Sequence, residues 1–347
     1  MKAACFQTIQ DVRVLDVPDA EIVAPQDVVV RVQMAGLCGS DLHAFFGRES
    51  GLDVGTVMGH EFVGVVVAVG ADVKSLCVDD RVCAPFTTNC GRCFYCDRGV
   101  TARCVAGQLF GWRQAGEGLH GGQSEFVRVP LADSTLMRIP DAIQWETALL
   151  LGDNLSTGFF AADMIGITSD GVYAVVGCGT VGLLAIQSAM QLGAHRVFAI
   201  DPDASRRAIA EELGATVFAD PVQASAAIKD VTDGRGADGV MELVGLPAAQ
   251  QTAYELIRPG GTMSVIGCHC TPNFAFSPAQ AYDKNLTYRT GRCPARHYMS
   301  KLLPRLLSES IDLSWCITHR FPIGQAEKAY DVFANRKDGC IKAAITF

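Results

Sequence analysis

The sequence predicts an α/β protein of two domains, one β-rich and one built on a doubly wound parallel sheet. Three observations predict it. The 347 residues, at about 150 per domain, give two domains. Near residue 155 the rhythm changes, from short strands cut by Gly, Pro and Asp to alternating strands and helices. A glycine-spaced loop, Gly177-Cys178-Gly179-Thr180-Val181-Gly182, follows an apolar strand and opens an apolar-periodic helix.

In the first segment, residues 27–32 and 62–70 are β-branched, apolar strand candidates, and no long helical period appears. In the second, short apolar runs predict strands at 172–176, 197–200, 216–218, 239–244 and 263–266, with a sixth at 286–289. Helices are expected at 181–192, ending near Gly193, and at 204–213, stopped by Gly214. The tail predicts helices at 299–308 and 324–335 and a strand at 341–347. It is too short for a domain of its own, so it is expected to return to the first. The boundaries are then 1–154 with 289–347, and 155–288.

Composition narrows the function. Hydrophobic residues make up 49% and charged ones 19%, which suits a large core rather than disorder. With 29 basic and 37 acidic residues the net charge is −8, so a nucleic-acid partner is not expected. No apolar run reaches the roughly 18 residues of a membrane span, and the start carries no export signal. A cytoplasmic location follows as the expectation, and the 14 cysteines are then better read as metal ligands than as disulfides.

In the glycine loop, Gly177 makes the tight turn, Gly179 lets backbone approach a pyrophosphate, and Gly182 lets helix pack on strand. The first-turn N–H groups, those of Thr180 and Val181 among them, and the positive dipole end favour phosphate. Asp201 ends the next predicted strand, where a carboxylate accepts from ribose hydroxyls and repels a 2′-phosphate, so NAD is expected over NADP. Arg206 and Arg207 are the counter-argument, either as holders of a 2′-phosphate or simply as solvated charges.

Cys90, Cys93, Cys96 and Cys104 place four thiols in fifteen residues, about 88–106 forming one lobe. Four thiolates fill a tetrahedral zinc and leave no open position, so the site reads as structural. A [4Fe–4S] cluster shares the ligand type, and unrelated buried cysteines are the bland alternative.

Cys38-Gly39-Ser40-Asp41-Leu42-His43 and Gly59-His60-Glu61 stand out next. Alone, Cys38 and His60 read as a core cysteine and a hydrogen-bonded histidine. The run Gly59-His60-Glu61-x2-Gly64-x5-Gly70-x2-Val73 carries more. It matches, at every fixed position, the zinc signature of the zinc-containing medium-chain alcohol dehydrogenases, which the chain resembles over essentially its whole length.

The resemblance implies a GroES-like catalytic domain, a Rossmann NAD domain and two zinc ions per chain. It makes Cys38, His60 and Asp153 the ligands of the catalytic zinc. Asp41 becomes the acid that orients His60, and Glu61 the neighbour that can bind the ion during exchange. Ser40 would take the proton from a zinc-bound alcohol, and His43 would pass it to solvent by way of the cofactor ribose. Lys342 would hold the pyrophosphate from the C-terminal return, where Gly39 lacks the arginine of some relatives. Phe86 and Trp112, with Phe45 and Phe46, would line the substrate pocket; core packing is the alternative for the last two. The implied reaction is hydride transfer between a primary or secondary alcohol and NAD, or the reverse on an aldehyde or ketone. A homodimer or homotetramer is implied as well.

Pro85-Phe86-Thr87, Gly121-Gly122-Gln123 and Gly152-Asp153 resemble the glutathione-independent formaldehyde dehydrogenase branch. The chain is shorter than that branch, so only the ligand chemistry is carried over. A polyol or sugar dehydrogenase is the alternative within enzymes, and a non-catalytic dinucleotide-binding structural or regulatory protein the alternative outside them. Cys268-His269-Cys270 reads as wall of the cofactor cleft, because consecutive strand side chains point to opposite faces and cannot all reach one ion.

Overall fold

A computed structural model describes residues 1–309, 311 and 313–347. The chain divides into two compact units, Met1–Ser156 with Pro294–Phe347, and Thr157–Cys293. The second boundary lies five residues beyond the expected one, because the sixth strand of the second unit runs on to Thr290.

The first unit is built on a seven-stranded sheet. Its path runs Ile317–Pro322, Lys342–Thr346, Val28–Gly36, Phe62–Val69, Arg81–Cys83 and Met137–Arg138, and Phe126–Val129 pairs with Val28–Gly36 as well. Alternation puts Val28, Val30 and Val32 into one core with Phe62, Val66, Val82 and Val127. Gly64 sits mid-strand for a steric reason. A Cβ there would lie 2.2 Å from the carbonyl oxygen of Arg31 on the paired strand.

The returning tail enters this unit by main-chain pairing, Ala344 opposite Gly36 and Ile345 opposite Ala35. Its helix Ala326–Ala334 buries Ala329, Tyr330 and Val332 in a cluster with Phe6, Val12, Leu37 and Phe45. The hydrophobic effect therefore joins the two ends of the sequence into one core.

The first unit also contains an unexpected helix, Trp145–Gly152. Its residues Ala148 to Gly152 are all buried, so no polar face marks it. It stops at Asp153, whose φ of −141° and ψ of −71° break the helical run before Asn154–Asp163 begins. The tail helix also starts earlier than predicted, running Ala295–Glu309 from just after Pro294 and carrying Pro304 inside it.

The second unit holds a six-stranded parallel sheet. Across it the strands run Thr216–Phe218, Val197–Ile200, Tyr173–Val176, Ala237–Glu242, Ile257–Val265 and Thr287–Thr290. The order reverses beside Tyr173–Val176, the first strand of this unit, which pairs with Val197–Ile200 on one side and Ala237–Glu242 on the other. A crevice at the carboxyl ends of the strands forms at such a reversal, and the glycine loop leaves the first strand there. No helix among the described residues is long and apolar enough to cross a membrane.

Candidate functional site

Three parts of the first unit bring the predicted ligands together. Cys38 follows the strand Val28–Gly36, His60 precedes Phe62–Val69, and Asp153 occupies the helix break. One ligand atom from each, and one from Glu61, lie within 4.8 Å of one another. Asp153 Oδ2 is 3.6 Å from Cys38 Sγ and 3.5 Å from His60 Nε2.

Asp41 holds this arrangement from behind. Its Oδ1 is 3.0 Å from His60 Nδ1, and its Oδ2 accepts the Cys38 N–H at 2.9 Å. With Nδ1 carrying the proton toward Asp41, Nε2 is left facing the cluster, the tautomer a metal requires. Ser40 Oγ lies 3.3 Å from that Nε2. The charges fit a dication: one thiolate, one carboxylate and a neutral imidazole offset it in full.

The titration of these side chains follows from burial and from one another. Burial pulls the His60 imidazole down, but Asp41 and Asp153 outweigh it and hold it well above its ordinary value. Burial pushes Asp153 up, yet the His60 hydrogen bond and charge bring it to about 2. The Cys38 thiol is raised by burial, with Glu61 and Asp153 adding negative charge.

Lys342 departs from expectation. Its ammonium is buried and donates to Glu61 Oε2 rather than presenting itself for a pyrophosphate. Two buried opposite charges in contact offset part of each other's desolvation cost, and a phosphate would have to compete with that pair. The pairing also assigns Glu61 a second task beyond touching the metal. Asn154, which the sequence reading did not single out, donates to Glu61 Oε1 at 2.9 Å and to Asp153 Oδ2 at 3.3 Å. Its adjacency to Asp153 was the available signal.

The remaining first-unit residues separate cleanly. Phe86 is buried with its ring edge-on to His60, centroids 6.3 Å apart. Trp112 begins a two-strand hairpin, Trp112–Gln114 against Glu117–Leu119, and is half-buried there. Phe45 belongs to the core, its ring 5.4 Å from Tyr330. His43, on the short helix Asp41–Phe45, is buried, and among the described residues its Nδ1 has no hydrogen-bond partner. Burial lowers its pKa, so the imidazole is neutral at neutral pH and able to accept a proton. An orphaned, buried ring nitrogen is what a relay to a bound ribose would need.

In the second unit the glycine loop has the form a dinucleotide requires. A Cβ on Gly182 would lie 1.9 Å from the carbonyl oxygen of Gly177, so only glycine lets the helix start there. Gly179 caps the helix Thr180–Gln191, and a Cβ on it would meet nothing nearer than Arg206 Nη1 at 3.9 Å, which leaves space for phosphate. Asp201 Oδ2 accepts the Cys178 N–H at 2.8 Å and lies 4.0 Å from Arg206 Nη1. Arg207 Nη1 donates to the Asp201 carbonyl at 2.8 Å, so neither arginine is merely a solvated charge.

In the lobe, the sulfurs of Cys90, Cys93, Cys96 and Cys104 lie within 4.8 Å of one another. The N–H groups of Cys96 and Val105 lower Cys93 to about 6, and the Cys90 N–H donates to Cys104 Sγ at 3.1 Å. Backbone donors aimed at sulfur stabilise thiolate, whereas burial raises Cys104 and pushes Cys96 up to about 12, so four sulfurs this close become thiolates together only around a cation such as a structural zinc.

Comparison with known proteins adds independent findings. Residues 24–141 match the family model described as alcohol dehydrogenase GroES-like domain, and residues 180–308 match that described as zinc-binding dehydrogenase. Zinc-type alcohol dehydrogenase B of Aspergillus flavus is 39% identical over 342 residues, covering 96% of this chain and 78% of that protein. The solved alcohol dehydrogenase TADH from Thermus sp. ATN1 is 34% identical with a TM-score of 0.92, covering 100% of this chain and 99% of that one. A solved zinc-binding dehydrogenase from Sinorhizobium meliloti 1021, bound to NADP, is 25% identical with a TM-score of 0.83, covering 100% and 99%.

Proposed function

Since the chain belongs to the zinc-containing medium-chain alcohol dehydrogenases, we propose that it transfers hydride between a primary or secondary alcohol and NAD, with aldehyde or ketone reduction as the reverse. The observation that carries this reading is the convergence of Cys38, His60 and Asp153, with Asp41 setting the tautomer of His60. A zinc ion held by those three would act as a Lewis acid on the substrate oxygen. A second zinc in the four-cysteine lobe would be structural, giving two per chain.

The chain's own residues supply the rest. Ser40, 3.3 Å from His60 Nε2, accepts the substrate hydroxyl proton. His43, kept neutral by burial, accepts it in turn and releases it to solvent. Phe86, buried and edge-on to His60, supplies an apolar wall beside it. The ion pair of Lys342 with Glu61 neutralises a carboxylate that would otherwise add a third anion to the ligand cluster.

Gly177, Gly179, Thr180, Val181 and Gly182 form the pyrophosphate cradle, and Asp201 is the ribose acceptor that favours NAD. Arg206, 4.0 Å from Asp201, supports a second reading in which the 2′-phosphate of NADP is tolerated, as the NADP-bound relative has it. A homodimer or homotetramer acting on small molecules completes the proposal.

The test is a screen of aliphatic, aromatic and polyol alcohols with NAD and NADP, following absorbance of the reduced nucleotide, with zinc measured on the same sample. Two zinc ions and NAD-linked turnover of a simple alcohol are expected. Turnover confined to polyols would replace the substrate class, and a strong NADP preference would overturn the role given to Asp201.

A further inference from the structure

Cys268 and Cys270 are the motif residues that the proposed reaction does not use. They follow the strand Ile257–Val265 on a loop at the carboxyl end of the parallel sheet. Both are exposed, and their sulfurs lie within 4.8 Å of one another. His269 between them is turned away, its Nε2 held 2.9 Å from the buried Glu242 carboxylate. With His269 held on Glu242, the two flanking sulfurs are left within reach of each other.

From this geometry we infer that Cys268 and Cys270 form a redox-active dithiol that closes to an intramolecular disulfide and so changes the neighbouring dinucleotide loop. The sulfurs need a side-chain rotation to reach the bonding distance of about 2.05 Å, and solvent exposure gives the oxidant access. The oxidant is a small-molecule disulfide. One thiolate attacks it, releasing one thiol and leaving a mixed disulfide. The second protein thiolate displaces the other half. Two S–H bonds are lost and one S–S bond forms, while two electrons and two protons go to the small molecule as two thiols.

The coupling is carried by close packing within the second unit. A Cβ on Gly245 would lie 2.4 Å from the Cys268 carbonyl oxygen, and a Cβ on Gly177 would lie 2.4 Å from Val244 Cγ2. Cys268 thus packs against the loop that packs against the first glycine of the cradle. A disulfide across residues 268–270 fixes the loop conformation and shifts that stack. The coupling, unlike the dithiol, rests on the dinucleotide reading above.

The test treats the zinc-loaded protein with oxidised glutathione, alkylates the remaining thiols and maps them by mass spectrometry. A disulfide within the peptide holding Cys268 and Cys270, reversed by dithiothreitol, is expected. Cys268→Ser and Cys270→Ser should each stop at a glutathione adduct on the remaining thiol. Alkylation of both thiols after treatment, or stable adducts on both without an internal bond, overturns the dithiol. NADH titration by fluorescence should show the oxidised form binding about 5-fold or more weakly. Equal affinities overturn the coupling. A reduced protein that binds no NADH refutes the dinucleotide reading and the coupling with it, while the mapped disulfide still decides the dithiol.

Discussion

Asp153 shows how much a single side chain depends on its place in the chain. It sits where one helix stops and the next begins, so its carboxylate is aimed at Cys38 and His60 rather than lost along a helix face. Asp153→Ala should abolish turnover and release one zinc per chain while the four-cysteine zinc stays, as read by metal analysis alongside a rate assay. Asp41 acts through His60. Asp41→Ala should weaken zinc binding at the catalytic cluster by about 10–100-fold, measured by competition with a chromogenic chelator, and leave the lobe's zinc in place. Cys38, His60 and Asp153 could be named before any coordinates only through the family resemblance that the local signature run at His60 carries. The partner of Lys342 could not, since Glu61 lies 281 positions away.

Among elements, the helix after the glycine loop carries the sharpest steric constraint. Gly182→Ala would drive a methyl into the Gly177 carbonyl. It should cost about 1–3 kcal/mol of stability and remove nucleotide binding, read by denaturant titration and NADH fluorescence. The next helix, Ala204–Glu212, is capped by Asp203, which accepts from the N–H groups of Ser205 and Arg206. The Ser205 hydrogen bond leads in holding Asp203 below its ordinary pKa. Asp203→Ala should therefore cost about 1 kcal/mol at neutral pH. A depressed folded pKa contributes stability above the unfolded value near 3.9 and loses it as pH falls through the folded value, so the gap between parent and variant should close in acid. Strands and helices of the second unit were legible because their periodicities differ. The helix Trp145–Gly152 was not, because Ala148 to Gly152 are all buried and leave no alternating polar face for periodicity to show.

At the scale of the molecule, the four-cysteine lobe has little secondary structure of its own: one helix of four residues, Phe94–Asp97, and a single turn at Thr101–Arg103. Such a segment would depend on a bound zinc for a fixed shape. Replacing two of its ligands, Cys93→Ser with Cys96→Ser, should lower zinc content from two to one per chain and lower the melting temperature, while the remaining ion stays with Cys38, His60 and Asp153. Calorimetry with metal analysis of the same sample checks this.

The family, the parallel sheet and the four-cysteine grouping were determined by the sequence alone, because each rests on matched residues within a short window or on a repeating period. Tertiary structure decided which distant groups meet: the ammonium of Lys342 on Glu61, Asn154 bridging Glu61 and Asp153, and Tyr330 in a core with Phe6. Those contacts depend on how the returning tail pairs with the strand Val28–Gly36. Pairing of that kind is chosen by the burial of whole faces, which no local run of residues encodes.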